Sequence, residues 1–421
     1  MRKNFQCSFL TISVALILLQ LYLHIYHNTR KDEHLRKFFE KEKAQIADQL
    51  IAQQPVAPAA RTKILGIHPP KIPDEHAGLI NGDIVAIEAE AKEQGIRKRF
   101  PDFIVMGMQK CGTTALQYFM NFHPGMRSPV EGELHFFERE GNYRKGYKAY
   151  FDQMPYGDPE LLIFEKTPDY MHDPKVPSRM FHFKPDLKLI AVVCDPVHRA
   201  FSHYLHALNI TRPQGWQMPG AQELKHKTFE EVVFQALAET INATMAKALI
   251  QLPEDQVPYE EIRLKFHRYL DNGMRTGRRY LMPASILARS SYGYLLAHWY
   301  RYFPREQVLV VDGNDLKVRP AHAMQRIQEF LGAEQYLTDK NFHQMPDTGF
   351  FCIQARPDSD CLIPGGNKGR SAKTHMDAPV ETVLRRFFRA IEPDNLEVFD
   401  GVPFSWTADL MDPSADKPLE G

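Results

Sequence analysis

The segment Gly107-Met108-Gln109-Lys110-Cys111-Gly112-Thr113-Thr114 puts two glycines, a lysine and two threonine hydroxyls where an apolar run gives way to a helical pattern. Glycine lets a backbone fold around an anion, a helix N-terminus offers unbonded N–H groups, and Lys110 with the threonines adds charge and donors. The pattern predicts a phosphate cradle. It is not the triphosphate-binding P-loop, in which lysine follows the second glycine, because Lys110 precedes Gly112. On these residues alone, an ordinary strand-to-helix turn is the competing reading.

Four further segments could carry chemistry. Glu133-Leu134-His135-Phe136-Phe137 holds a carboxylate beside aromatic rings that would partly bury it, which would raise its pKa and suit a general base. With Glu131, Glu138 and Glu140 close by, Glu133 also reads as one more surface glutamate. Lys166 ends an apolar run at what would be the carboxyl edge of a sheet, where ligands of open α/β sheets bind; pairing with Glu165 is the structural alternative. Arg199 and Ser202 lie on a helical stretch that follows Cys194, and Arg199 serves as well for a salt bridge as for an anion. Gly365-Gly366-Asn367-Lys368-Gly369-Arg370 packs three glycines and two cations into six residues, which fits either a second phosphate-binding loop or a flexible turn.

In this order, from about residue 103 to 406, these segments resemble the sulfotransferase superfamily, and Glu133 to Phe137, Glu165-Lys166-Thr167-Pro168 and Cys361 to Arg370 are similar to the heparan sulfate glucosaminyl sulfotransferases. The resemblance implies a sulfuryl donor, 3'-phosphoadenosine-5'-phosphosulfate (PAPS). Lys110, Cys111, Gly112, Thr113 and Thr114 would hold its 5'-phosphosulfate, and Ser202 with Lys368, Gly369 and Arg370 its 3'-phosphate. Where the family carries an arginine at the end of the preceding strand, this chain has Cys194, so Arg199 and the Lys368–Arg370 loop are expected to supply the missing charge. Glu133 is then the base, Lys110 and Lys166 face the bridging and leaving oxygens, and His135 supports base or acceptor. The implied acceptor is a glucosaminyl hydroxyl of a heparan sulfate-type glycosaminoglycan. N-sulfation, O-sulfation of a glycan such as chondroitin, and an inactive donor-binding scaffold remain as alternatives. Arg144, Lys145, Lys148, Arg275, Arg278, Arg279 and Lys373 are candidates to meet an acidic glycan. No His/Cys group has zinc spacing, so no metal is expected.

Positioning these residues requires a particular set of elements. Apolar runs at 103–108, 161–165, 187–194 and 307–312 alternate with helical patterns at 113–122, 174–183, 196–207 and 321–331. This rhythm predicts an α/β fold, a single P-loop-like domain with a central parallel sheet flanked by helices. Residues 209–281 break it and read as a helical insertion over one sheet edge.

The 421 residues are 43% hydrophobic and 25% charged, with 52 basic and 52 acidic side chains. Zero net charge supplies no general attraction to nucleic acid. Residues 4–29 carry no Asp, Glu, Lys or Arg, long enough for a membrane helix, and Arg2 and Lys3 before it predict a cytoplasmic N-terminus. The expected layout is a tail at 1–7, a signal anchor at 8–27, a lumenal stem at 28–96 that is helical and then Pro-rich, and a catalytic domain at 97–421. The stem is a candidate for pairing with a second copy. A cleaved signal peptide is the competing reading, without a small-residue cleavage site. The expected location is the Golgi membrane, in single-pass type II orientation. Five cysteines are present, and in an oxidising lumen Cys352 and Cys361, nine positions apart, are expected to pair. Asn209 and Asn242 begin glycosylation sequons.

Overall fold

The computed structural model describes residues 83–209, 224, 226–276, 282–346, 351–354, 376–399 and 403–413. The predicted anchor, most of the stem with its dimer seam, and the Lys368-Gly369-Arg370 loop lie outside these residues. Among the described residues no helix is long and apolar enough to cross a membrane.

Five strands form one parallel sheet: β1 (Phe103–Gly107), β2 (Met126–Arg127), β3 (Leu162–Lys166), β4 (Lys188–Val193) and β5 (Val308–Asp312), in the order β2-β3-β1-β4-β5. The α/β expectation with a central parallel sheet therefore holds. Every residue of β1 is buried, which is why its sequence is apolar throughout instead of alternating. Val105 pairs with Lys166 on one side and Ile190 on the other, and Ile190 with Leu309. Phe103 and Phe164 stack across β1 and β3 with centroids 5.1 Å apart. Removing a side chain here, as in Ile190→Ala, should cost about 2–5 kcal/mol. A two-stranded antiparallel ribbon, β6 (Phe342–Gln344) with β7 (Phe351–Ile353), stands apart.

The helix Thr113–Phe122 starts on Gly112, buries Leu116, Phe119 and Met120 on one face, and stops at His123 before Pro124. Pro320–Leu331 begins on its proline and ends on Gly332 in the left-handed region. The insertion contains Phe229–Ile241, Ala243–Gln251 and Tyr259–Thr276. A capping box, Thr228 with Glu231, starts the first of these. They pack against one another and against the helices Ser285–Ala288 and Ala378–Val398, not against a sheet edge as expected. Near the end of the expected Pro-rich stem the chain forms a helix, Ile84–Glu93, which buries Ile87 and Ala91 against the domain.

Cys111 and Cys194 form a disulfide with Cα atoms 5.3 Å apart, bridging 83 positions. A ring of that length restricts the unfolded chain by about 4–5 kcal/mol on the loop-entropy model. Cys352 is also disulfide-bonded; its expected partner Cys361 lies outside the described residues.

Candidate functional site

The end of β1 is crowded by the segment that follows β3. Thr167 N–H donates to Val105 O at 3.2 Å and Met171 N–H to Met106 O at 2.8 Å. Gly107 has no room for a side chain, since a Cβ there would stand 2.6 Å from Met171 Cβ and 3.0 Å from Pro168 O. This close approach sets the end of β3, with Lys166, beside the loop that leaves β1. Met108 N–H donates to Val192 O at 2.6 Å, so the loop is tied to β4 as well. Lys110 has φ 78 and Gly112 φ 99. A lysine in the left-handed region is strained and persists where its surroundings dictate it. The turn delivers the chain to the N-terminus of helix Thr113–Phe122, with Thr113 buried and Thr114 exposed. Its free N–H groups make it an anion-binding end.

Lys166 Nζ, 3% exposed, stands 2.6 Å from Glu133 Oε1, whose side chain is 35% exposed. Glu165 takes no part in this pair. Neighbouring strand residues face opposite ways, and Glu165 is buried, accepting hydrogen bonds from Tyr150 and Thr167 hydroxyls. Burial pushes its carboxyl up to about 7 against those bonds. His135, at φ 52, reaches Glu138 Oε1 with Nδ1 at 2.5 Å and Glu133 Oε2 with Nε2 at 3.5 Å. Burial works against a charged imidazole, but the bonds to Glu133 and Glu138 outweigh it and raise its pKa to about 9. Phe136 and Phe137 face away into an aromatic cluster; Phe136 stacks on Tyr150 at 4.5 Å and Phe137 meets Phe183 edge-on at 5.4 Å.

The expectation that burial raises the Glu133 pKa is corrected here. Burial does push it up, but the bonds from His135 and Lys166 and the charge of Lys166 hold it below the usual carboxylate value. Glu133 is thus ionised at neutral pH.

Arg289, nearly buried, donates from Nη1 to Gln109 Oε1 at 3.0 Å and to Asp169 Oδ1 at 2.7 Å. One guanidinium therefore joins the phosphate loop to the segment after β3. Burial raises the Asp169 carboxyl, and Arg289 more than reverses this, leaving it far below its ordinary value. His135, Glu138 and Asp169 bring potential ligand atoms within 4.8 Å of one another, but Arg289 and the imidazole already engage these carboxylates as ion pairs.

On the β4 side, Asp195 caps helix Pro196–Asn209, accepting from Val197 N–H at 2.8 Å and bonding His198 Nδ1 at 2.7 Å. Ser202 lies half-buried on that helix. Arg199 does not take over the missing charge as expected. It is 1% exposed, with Nε 2.5 Å from Ser290 Oγ and Nη2 2.5 Å from Ile286 O, and burial pushes it down to about 10. Its guanidinium fastens two helices and presents no surface to a phosphate. Cys194 is bonded to Cys111 of the cradle itself.

Among the proposed acceptor contacts, Arg144 pairs with Glu140 and Lys148 with Asp152, Lys145 bonds Asn142, and Arg275 is exposed. Arg278, Arg279 and Lys373 lie outside the described residues. Asn242 is exposed and caps helix Ala243–Gln251 through its side-chain oxygen. The Asn209 sequon runs out of the described residues.

Sequence reasoning missed Arg289, Asp169 and the Cys111–Cys194 link. Their partners are 83 to 180 positions apart, beyond any local spacing. The one available signal was that a second cysteine falls where a strand was expected to end beside the cradle.

Residues 100–348 match the family model of the sulfotransferase domain. Human heparan sulfate glucosamine 3-O-sulfotransferase 3B1 is 33% identical over 316 residues, covering 73% of this chain and 65% of that protein. The human 3A1 enzyme of the same name is also 33% identical, with 73% and 63% covered. Human heparan sulfate glucosamine 3-O-sulfotransferase 6 is 30% identical over 313 residues, with 74% and 75% covered. The chain thus spans slightly under two thirds of the length of the 3B1 and 3A1 proteins.

Proposed function

Since the chain belongs to the sulfotransferase domain family, we propose that it transfers a sulfuryl group from PAPS to a hydroxyl of a glucosaminyl residue in a heparan sulfate-type glycosaminoglycan. The observation that carries this reading is the ionised Glu133, held at 2.6 Å by Lys166 at the sheet edge where the cradle opens. A transfer of this kind resembles phosphoryl transfer, in which positioning and fixed positive charge matter more than covalent chemistry.

In this mechanism Glu133 takes the acceptor hydroxyl proton, and His135, charged between Glu133 and Glu138, keeps the carboxylate aimed. Lys166 is drawn between Glu133 and the developing negative charge on the leaving oxygen, while Lys110 and the N–H groups of the cradle face the 5' end of the donor. Ser202 and the Lys368-Gly369-Arg370 loop are assigned to the 3'-phosphate. Heparan sulfate glucosamine 3-O-sulfotransferases at 30–33% identity support a glucosaminyl hydroxyl as the acceptor.

We also infer that residues 8–27 anchor the chain in the Golgi membrane with the domain lumenal. The apolar run, Arg2 and Lys3, and a disulfide-bearing domain support this.

The deciding experiment is incubation of the protein with sulfur-labelled PAPS and a panel of N-sulfated heparan, unsulfated heparosan and chondroitin chains, followed by disaccharide analysis. Label on a glucosaminyl hydroxyl is the expected result. Label on nitrogen, or on chondroitin alone, would replace the acceptor, and no label on any glycan would remove the enzyme reading.

A further inference from the structure

We propose that the Cys111–Cys194 crosslink is a positioning element of the donor site, holding the cradle in the shape that binds the bisphosphorylated nucleotide. The proposal rests on the PAPS reading above.

The place of the link decides its role. β1 and β4 are already joined by their ladder, with Val105 opposite Ile190 and Gly107 opposite Ala191, so the strands do not need a covalent tie. Beyond this ladder and the Met108 N–H bond to Val192 O lies the stretch 109–112, which includes left-handed Lys110 and Gly112, and the disulfide grips that stretch at Cys111. Its other end, Cys194, is the residue immediately after β4; its Sγ lies 3.9 Å from the Lys110 carbonyl oxygen. Behind the link, the buried Tyr292 hydroxyl sits 3.6 Å from Cys111 Sγ and 4.0 Å from Cys194 Sγ. Gly313, the first residue after β5, packs so closely that a Cβ would stand 2.4 Å from Cys111 O and 3.2 Å from Cys194 Cβ. The loop is thus bonded on one side and walled on the other. A cradle held in this way is preorganised, which lowers the ordering cost of binding.

The test is calorimetric binding of 3'-phosphoadenosine 5'-phosphate to the full chain and to Cys111→Ala, Cys194→Ala and the double variant. Either single substitution cuts the same link. Each should therefore weaken binding on the order of tenfold, as expected of a displaced contact set, and the double variant should be no weaker than either single. The Michaelis constant for PAPS should rise by the same factor, which a smaller folded fraction cannot cause. If the variants do not fold by circular dichroism, wild-type protein treated with a phosphine replaces them. There each disulfide, one phosphine and one water give two thiols and one phosphine oxide, and alkylation mapping identifies Cys111 and Cys194 as the opened pair; affinity should fall by the same factor. Unchanged affinity after the link is cut, or losses in the singles that multiply in the double, would overturn the proposal. Absence of nucleotide binding by the untreated wild type would instead overturn the PAPS reading on which it rests.

Discussion

Lys166 and Glu133 form an ion pair at 2.6 Å in which the lysine is buried and the carboxylate is open to solvent. The lysine is fixed at the sheet edge, and the more exposed carboxylate is held there by Lys166 and by His135.

Glu133→Gln preserves shape and hydrogen-bonding reach but cannot accept a proton. Donor binding should persist while turnover falls roughly 100-fold or more. Calorimetry with 3'-phosphoadenosine 5'-phosphate and a labelled-sulfate assay separate the two effects; full activity with normal binding would remove Glu133 from the mechanism and direct attention to Glu165, Glu131 and His135.

Lys110→Ala should lower turnover by orders of magnitude and leave the unfolding temperature within about 2 °C of wild type, since a cradle lysine meets the donor and not the core. A variant that transfers sulfate near the wild-type rate would show that the loop does not hold the phosphosulfate.

The His135 imidazole titrates near 9 in the folded chain against an ordinary 6.5. A raised value means that the folded state binds the proton more tightly. Its stabilising contribution is therefore complete below about pH 6.5 and fades as pH rises through about 9. His135→Gln should lower the unfolding temperature by about 2 °C or more at pH 6 and by much less at pH 10. Equal losses at both values would show that the charge on His135 does not matter to the fold.

Cys194→Arg cannot be judged against wild type alone, because it restores a phosphate-binding side chain and cuts the disulfide together. Measured against Cys194→Ala, which also cuts the link, it should bind 3'-phosphoadenosine 5'-phosphate about 1.5–3 kcal/mol more tightly. Equal affinities would mean that position 194 does not face the 3'-phosphate.

The strands were readable because a parallel sheet covered on both faces needs unbroken apolar runs, and β1, β3, β4 and β5 each lie within a residue or two of where such runs predict them. The cradle was readable for a related reason, since glycine, lysine and threonine at a strand-to-helix junction are a local pattern. The pairing of Lys166 was not. Glu165 is its neighbour in sequence, but strand alternation turns that carboxylate into the aromatic cluster and leaves Lys166 to Glu133, 33 positions away. The sign of the Glu133 shift depended on that same pairing and was therefore also hidden. Arg199 shows the converse, an apparent anion ligand whose helix face turns it inward. Spacing suggested Cys352 with Cys361 because they are close in sequence, whereas the Cys111–Cys194 link exists only because β1 and β4 are neighbours in the sheet.

The two linked cysteines also constrain how such a chain can diverge. A substitution at position 111 or 194 alone leaves an unpaired thiol, which in an oxidising compartment invites mixed disulfides with other chains. Descent from an ancestor with arginine at position 194 that changed there first would pass through an intermediate that has lost the phosphate contact and not yet gained the link. The two positions are expected to change together across lineages, and a homologue with cysteine at position 194 alone would mark that intermediate.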